Sequence, residues 1–251
     1  MSRLTFFTLL FVGLLFTGCS KELSDEQSET GTVSLSFSAV VKNQPLAGGQ
    51  EYTNQWGENY SVSTFKYYLH DISFVSTTGV TYPASADYYL VDEAKPETKT
   101  ITLRVPAGEY SRVVYTLGVD SAKNVSGAQT GVLDPTNGMF WTWSSGYVMA
   151  KLEGASAAAA TANGNFSYHV GGFKQAELAI KRISLNVPAT NSLKVAKGST
   201  GTVDIQADIN TWFGSVHPVK ISENPACHSP GALAKQIADN YAGMFSISGI
   251  R

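Results

Sequence analysis

Val33-Ser34-Leu35-Ser36-Phe37-Ser38-Ala39-Val40-Val41 alternates apolar and hydroxyl-bearing side chains for most of its length. That is the period of a strand with one face in a core and the other towards water. The pattern recurs outward from it. Phe65 to Val75 is aromatic and β-branched, and Tyr88 to Val91, Ile101 to Val105 and Ser111 to Gly118 follow. Beyond these, Tyr147 to Leu152, Phe166 to Val170, Ala176 to Val187, Gly201 to Ala207 and Met244 to Ile247 read the same way, bounded by Gly, Pro, Asn or Asp. Only two helices are expected. One is Ile209 to Phe213 behind Asp208, and the other is Pro230 to Tyr241, whose Leu233, Ile237 and Tyr241 share a face. Gly154 to Gly164, rich in alanine, is too short and too bounded by Gly and Asn to be a stable helix and reads as a loop. The fold class expected is therefore all-β, a single β-sandwich or distorted barrel with one or two short helices near the C-terminus.

Composition narrows the function. In 251 residues, 43% hydrophobic and 11% aromatic, most of the chain has the means to build a core. The 18 Lys+Arg are scattered against 20 Asp+Glu, so no concentrated basic face offers itself to phosphates, and nucleic acid is excluded as a partner. Charged residues are 15%, below the roughly 25% usual for soluble domains. With 12 Tyr, 12 Phe and 23 Gly, the balance is that of a secreted or surface β protein.

Residues 1–18 read as a signal peptide: Arg3 supplies the positive start, and Leu4 to Phe16 is an apolar run too short for a permanent membrane span. The run ends in Leu15-Phe16-Thr17-Gly18-Cys19, which resembles a bacterial lipobox, making Cys19 the expected lipidation site and lipid the expected membrane anchor. Residues 19–31 are then a polar, acidic tether without aromatics. Its Lys21-Glu22 and Asp25-Glu26 resemble the export tag that Bacteroidota place behind a lipidated cysteine, which favours the outer membrane. Residues 32–251 form the β domain. With Cys19 acylated, Cys227 has no partner for a structural disulfide.

Common catalytic signatures are absent: there is no Gly-x-Ser-x-Gly elbow, Walker loop, dinucleotide fingerprint, HExxH or paired CxxC. Cys227-His228 could end a c-type haem motif, but position 224 is Asn. The chain is not expected to be an enzyme.

The densest segment is 112–153. It contains Leu117-Gly118-Val119-Asp120, Asn124, Leu133-Asp134-Pro135, Gly138-Met139-Phe140-Trp141-Thr142-Trp143, Gly146-Tyr147 and Lys151-Leu152-Glu153-Gly154. With Tyr168-His169-Val170-Gly171-Gly172, Pro106-Ala107-Gly108-Glu109-Tyr110 and the final Ile237-Ala238-Asp239-Asn240-Tyr241, it resembles the MbnP-like family of periplasmic and surface copper-binding proteins, related to secreted copper proteins of methanotrophs. The resemblance spans nearly all of the β domain. It implies copper as cofactor and a di-haem peroxidase-like protein as partner, one that in relatives converts a tryptophan to kynurenine beside two histidines.

Relatives place that tryptophan two residues before a histidine, so that both point to one side of a strand. Here no Trp-x-His occurs; Met139, Trp141 and Trp143 are the nearest substitute, alternating onto one face if extended. His169 stands at a family position and is the first candidate metal ligand, and His70, within the Phe65 to Val75 strand, is the second. Imidazole and thioether suit copper. His217 and His228 read as loop or cap residues. Asp120, Asn124, Asp134 and Asn137 supply oxygens that suit calcium, though such residues are also ordinary turn formers. The expected function is a cell-envelope lipoprotein that binds copper for storage or delivery. The alternative is a ligand-binding or adhesion β domain that has lost the metal site.

Overall fold

The computed structural model describes residues 29–142, 144–188 and 192–251. The signal segment, Cys19, all but the end of the tether and Trp143 lie outside the described residues. The architecture is mostly β, with two curled sheets packed face to face as a β-sandwich.

The alternating stretch that opens the chain becomes strand Thr30–Val41, which buries Val33, Leu35, Phe37, Ala39 and Val41. It runs parallel to Thr200–Asp208, with Leu35 opposite Val203 and Phe37 opposite Ile205, and antiparallel to Thr100–Pro106. Phe245–Ile250 closes this smaller sheet beside Thr200–Asp208. The larger sheet is organised by Asn59–Ser76, an 18-residue strand. Gly146–Ala155 pairs with its first half and Gly108–Leu117 with its second. Within the second pairing, at Asp71, the backbone takes a left-handed φ of +56° and the register shifts. Asp tolerates that conformation better than most side chains. Asn165–Gly171 extends the sheet beyond Gly146–Ala155, and the two-residue strand Ala226–Cys227 lies parallel at its edge.

The core between the sheets is aromatic. Phe37 and Phe245 from the smaller sheet meet Tyr67 and Tyr115 from the larger one edge to face, with centroids 5.4–6.2 Å apart. Such geometry matches positive ring edges to negative faces.

The outward face of the larger sheet is covered at one end. Tyr68 and Tyr147 point away from the sandwich core and would be exposed, but residues 118–140 fold over them as a short helix, Ser121–Val125, and two 3-10 turns, Gly131–Leu133 and Pro135–Asn137. The Tyr68 hydroxyl donates to the Val132 carbonyl (3.0 Å) and the Tyr147 hydroxyl to the Leu133 carbonyl (2.9 Å). Asn124, fully buried, fastens the insert. Its amide donates to the Val119 and Asp120 carbonyls and its oxygen accepts from the Tyr147 N–H (2.7 Å).

The sequence pattern predicts no helix at 121–125 and a strand through Ala176 to Val187. The structure makes Gln175–Glu177 a 3-10 turn and starts the strand at Lys181. The Tyr241 hydroxyl, donating to the Ala179 carbonyl at 2.6 Å, holds the intervening backbone out of the ladder. The C-terminal helix spans Ala232–Tyr241 and buries Ala234, Ile237, Ala238, Asn240 and Tyr241.

Asn124→Ala strands the buried Tyr147 N–H and the Val119 carbonyl, at about 1–3 kcal/mol for each group left unsatisfied, while the Asp120 carbonyl keeps its bond from the backbone N–H of residue 124. It is expected to lower stability in urea by roughly 2–4 kcal/mol and to speed amide exchange first across residues 119–142. Unchanged stability would show that Asn124 does not fasten the insert.

Candidate metal-binding site

On the outward face of the larger sheet, beyond the rim of the insert, polar side chains replace tyrosines. The cross-strand register sets Lys66 beside Lys151 and Lys151 beside His169, while Thr64 sits beside Glu153 and Glu153 beside Ser167. Alternation then places Ser167, His169 and Gly171 on the same side of Asn165–Gly171.

His169 is half-buried here, and its Nε2 lies 2.6 Å from Glu153 Oε1. The exposed His228 joins it from the edge: the short parallel bridge of Ala226–Cys227 to Ser167 and Tyr168 delivers the next residue to this face. His228 Nε2 lies 2.6 Å from Ser167 Oγ, and the two imidazoles are 4.7 Å apart between centroids. At the other end of the row, Trp141 rests on Gly171. A Cβ at position 171 would stand 2.6 Å from the indole Cζ3 and 2.7 Å from the Tyr147 carbonyl oxygen. A glycine is therefore required for the indole to occupy that place. His228, His169 and Trp141 thus follow one another along a single sheet face.

Burial pulls the His169 imidazole below its ordinary value, aided by the Lys151 and His228 charges and opposed by Glu153. Burial pushes the Glu153 carboxyl up, but the hydrogen bonds from His169 and Thr64 and the Lys151 charge together hold it below the usual carboxylate range. At neutral pH the pair is a neutral imidazole donating Nε2–H to a carboxylate. That tautomer leaves the lone pair on Nδ1, the arrangement in which a carboxylate orients a metal-binding histidine. Among the described residues no group of three or more His, Cys, Asp or Glu side chains is placed to hold an ion, so the histidine pair stands without a third such donor.

The other sequence candidates are placed elsewhere or engaged otherwise. His70 lies two strands from His169, under the base of the insert; its Nδ1 is 3.0 Å from the Gly118 carbonyl and its ring stacks on Tyr88 at 4.8 Å. The Tyr88 hydroxyl in turn donates to Asp120. Met139 is fully buried under the insert, and only Phe140–Thr142 is extended, so Met139 does not join Trp141 on the histidine face. Asp120 and Asp134 cap the short helix and a 3-10 turn, Asn124 bonds backbone and Asn137 donates to the Gly131 and Val132 carbonyls. These oxygens serve the insert's own turns.

His228 was read as a loop or cap residue, and the face it reaches depends on a two-residue bridge that leaves no periodic trace. Glu153 belongs to the family-like Lys151-Leu152-Glu153-Gly154 segment, and nothing in its spacing signals that it meets His169.

A family model for MbnP matches residues 30–229. The chain belongs to the MbnP family. Among solved structures it is similar to MbnP from Methylosinus trichosporium, with 17% identity, 82% of this chain and 83% of that chain covered, and a TM-score of 0.57. No curated protein sequence matches it significantly. The family resemblance and the β-sandwich anticipated from the sequence are both found.

Gly171→Ala is expected to push the Trp141 indole off the sheet and cost about 1–3 kcal/mol, as overpacked sites do. The Trp141 indole N–H resonance reads this directly, and an unmoved resonance would mean the ring does not rest there. Burial pushes the Cys227 thiol up to about 11. In protein carrying Cys19→Ser, Cys227 should therefore resist a disulfide-exchange reagent at pH 8 until denaturant is added. Prompt labelling would show that the Ala226–Cys227 edge opens readily.

Proposed function

We propose that this MbnP-family chain is a cell-envelope lipoprotein that binds copper without catalysing a reaction, holding it for storage or delivery. The observation that carries this reading is the pairing of His169 and His228 on one sheet face, with Trp141 against Gly171 two positions along the His169 strand. The donor set fits the metal. Two imidazoles, one of them kept neutral by burial and hydrogen-bonded through Nε2 to Glu153, are borderline ligands suited to copper. Bound copper would supply a Lewis-acidic, one-electron redox centre. The chain's own part is to present the Nδ1 of His169, to bring His228 within reach through Ser167, and to keep Trp141 against Gly171.

Cys19 at the end of the apolar leader supports the lipid anchor, and the acidic tether behind it supports the outer membrane. A di-haem peroxidase-like protein is the partner that family membership suggests, and half-buried Trp141 is the residue it would meet. The second reading is a ligand-binding or adhesion domain. It is favoured by the want of a third His, Cys, Asp or Glu donor among the described residues.

Titration of residues 20–251 with Cu(I) and Cu(II) against a chelator probe tests the proposal. One tight site is expected, weakened at least tenfold by His169→Ala and by His228→Ala and little changed by His70→Ala. Absence of binding in protein purified from its native host would sink the copper reading in favour of the second.

A further inference from the structure

Lys151-Leu152-Glu153-Gly154 is the part of the family-like sequence to which the fold gives four separate tasks. Leu152 is fully buried in the sandwich core. Gly154 sits where the register shifts, and a Cβ there would stand 1.8 Å from the Ser61 carbonyl oxygen. Lys151 and Glu153, on the outward face between Asn59–Ser76 and Asn165–Gly171, point to the histidine site from below. Glu153 Oε1 takes the His169 Nε2–H at 2.6 Å. Lys151 Nζ donates to the Gly138 carbonyl at 2.5 Å, three residues before Trp141. That second bond reaches from the sheet to the insert and fixes the segment that lays Trp141 over Gly171.

We propose that Lys151 and Glu153 are a matched pair of positioning residues, Glu153 setting the tautomer and aim of His169 and Lys151 setting the place of Trp141. This rests on the reading of His169 and His228 as the metal-binding pair. The geometry supports the division of labour. The side chains alternate by two on one strand, and so emerge on one face. Each makes a short polar contact towards the site, Glu153 to His169 and Lys151 to the Gly138 carbonyl, and these contacts lead to different members of it. The Glu153 oxygen that holds His169 is thereby a support for a ligand, and Lys151 acts through backbone rather than through any ligand.

Two readouts separate this from a merely structural role. In metal-free, 15N-labelled protein, His169 is expected to show a downfield, slowly exchanging Nε2–H proton, retained in Glu153→Gln, whose carbonyl still accepts, and lost in Glu153→Leu. Lys151→Met is expected to shift the Trp141 indole N–H resonance and speed its exchange, with Lys151→Arg restoring most of the wild-type signal. With copper, Glu153→Leu should weaken binding roughly 10–100-fold, the cost usual for removing a hydrogen-bond partner of a ligating histidine, and alter the Cu(II) electron paramagnetic resonance spectrum. Glu153→Gln should keep most of the affinity. Copper bound by Glu153→Leu with wild-type affinity and spectrum overturns the role of Glu153, and an unmoved Trp141 resonance in Lys151→Met overturns that of Lys151. Wild-type protein that shows the Nε2–H proton yet binds no copper from either oxidation state sinks the copper reading itself, and the pair's service to a metal with it.

Discussion

Strand Asn59–Ser76 must satisfy two faces. Phe65 and Tyr67 point into the sandwich, while Tyr68 and His70 point the other way, and all four are buried. A sheet buried on one side only would leave Tyr68 and its neighbour Tyr147 in water, so the chain has to return over the outward face. The excursion through 118–140 meets that need and determines much else. It turns Asp120, Asn124 and Asp134 into caps and clamps, and it ends on the strand that carries Trp141. The insert reaches Lys151 through the Gly138 carbonyl, and beyond it, at Thr64, Lys66 and Glu153, the outward face becomes polar. The histidine site lies at that boundary, walled by the insert on one side and open to solvent on the other.

The boundary explains the electrostatics. Far under the insert, a histidine is held by backbone and an aromatic ring, as His70 is. Out in solvent, a surface histidine would titrate freely. His169 is between the two, buried enough for its neutral form to be favoured and close enough to Glu153 for that neutral form to have a defined hydrogen bond. A neutral, oriented imidazole needs no proton removed and no ring rotation before it meets a metal.

Much of the fold was legible because local pattern and burial agree. The alternation of Val33 to Val41 is the burial pattern of Thr30–Val41, and Leu233, Ile237 and Tyr241 marked the helix Ala232–Tyr241. Where tertiary contact decides, local reading fails. Five residues at Ser121–Val125 are too few to favour a helix by themselves and form one because Asp120 caps it and Asn124 anchors it. The site divides in the same way. His169, Trp141 and Glu153 were visible as residues of interest or of a quoted motif, but their proximity depends on register, with Lys151 opposite His169 and Glu153 opposite Ser167. His228 stands 61 positions from the serine that holds it, joined through a two-residue parallel bridge, and no spacing rule reaches that far.

The missing Trp-x-His pairing has a structural counterpart in this register. On a single strand, two side chains share a face when they are two apart. Across adjacent strands, neighbours share a face at any sequence separation, provided that the ladder aligns them. Here Phe140–Thr142 pairs with the start of Gly146–Ala155, and that strand pairs with Asn165–Gly171, so Trp141 and His169 reach one face from two different strands. The close approach that this demands falls on Gly171, where any Cβ would strike the indole or the Tyr147 carbonyl. The bare backbone of Gly171 is thus the physical condition for a tryptophan to lie against the strand of a histidine 28 residues away, two positions along from it, and it makes their spacing in sequence immaterial to that placement.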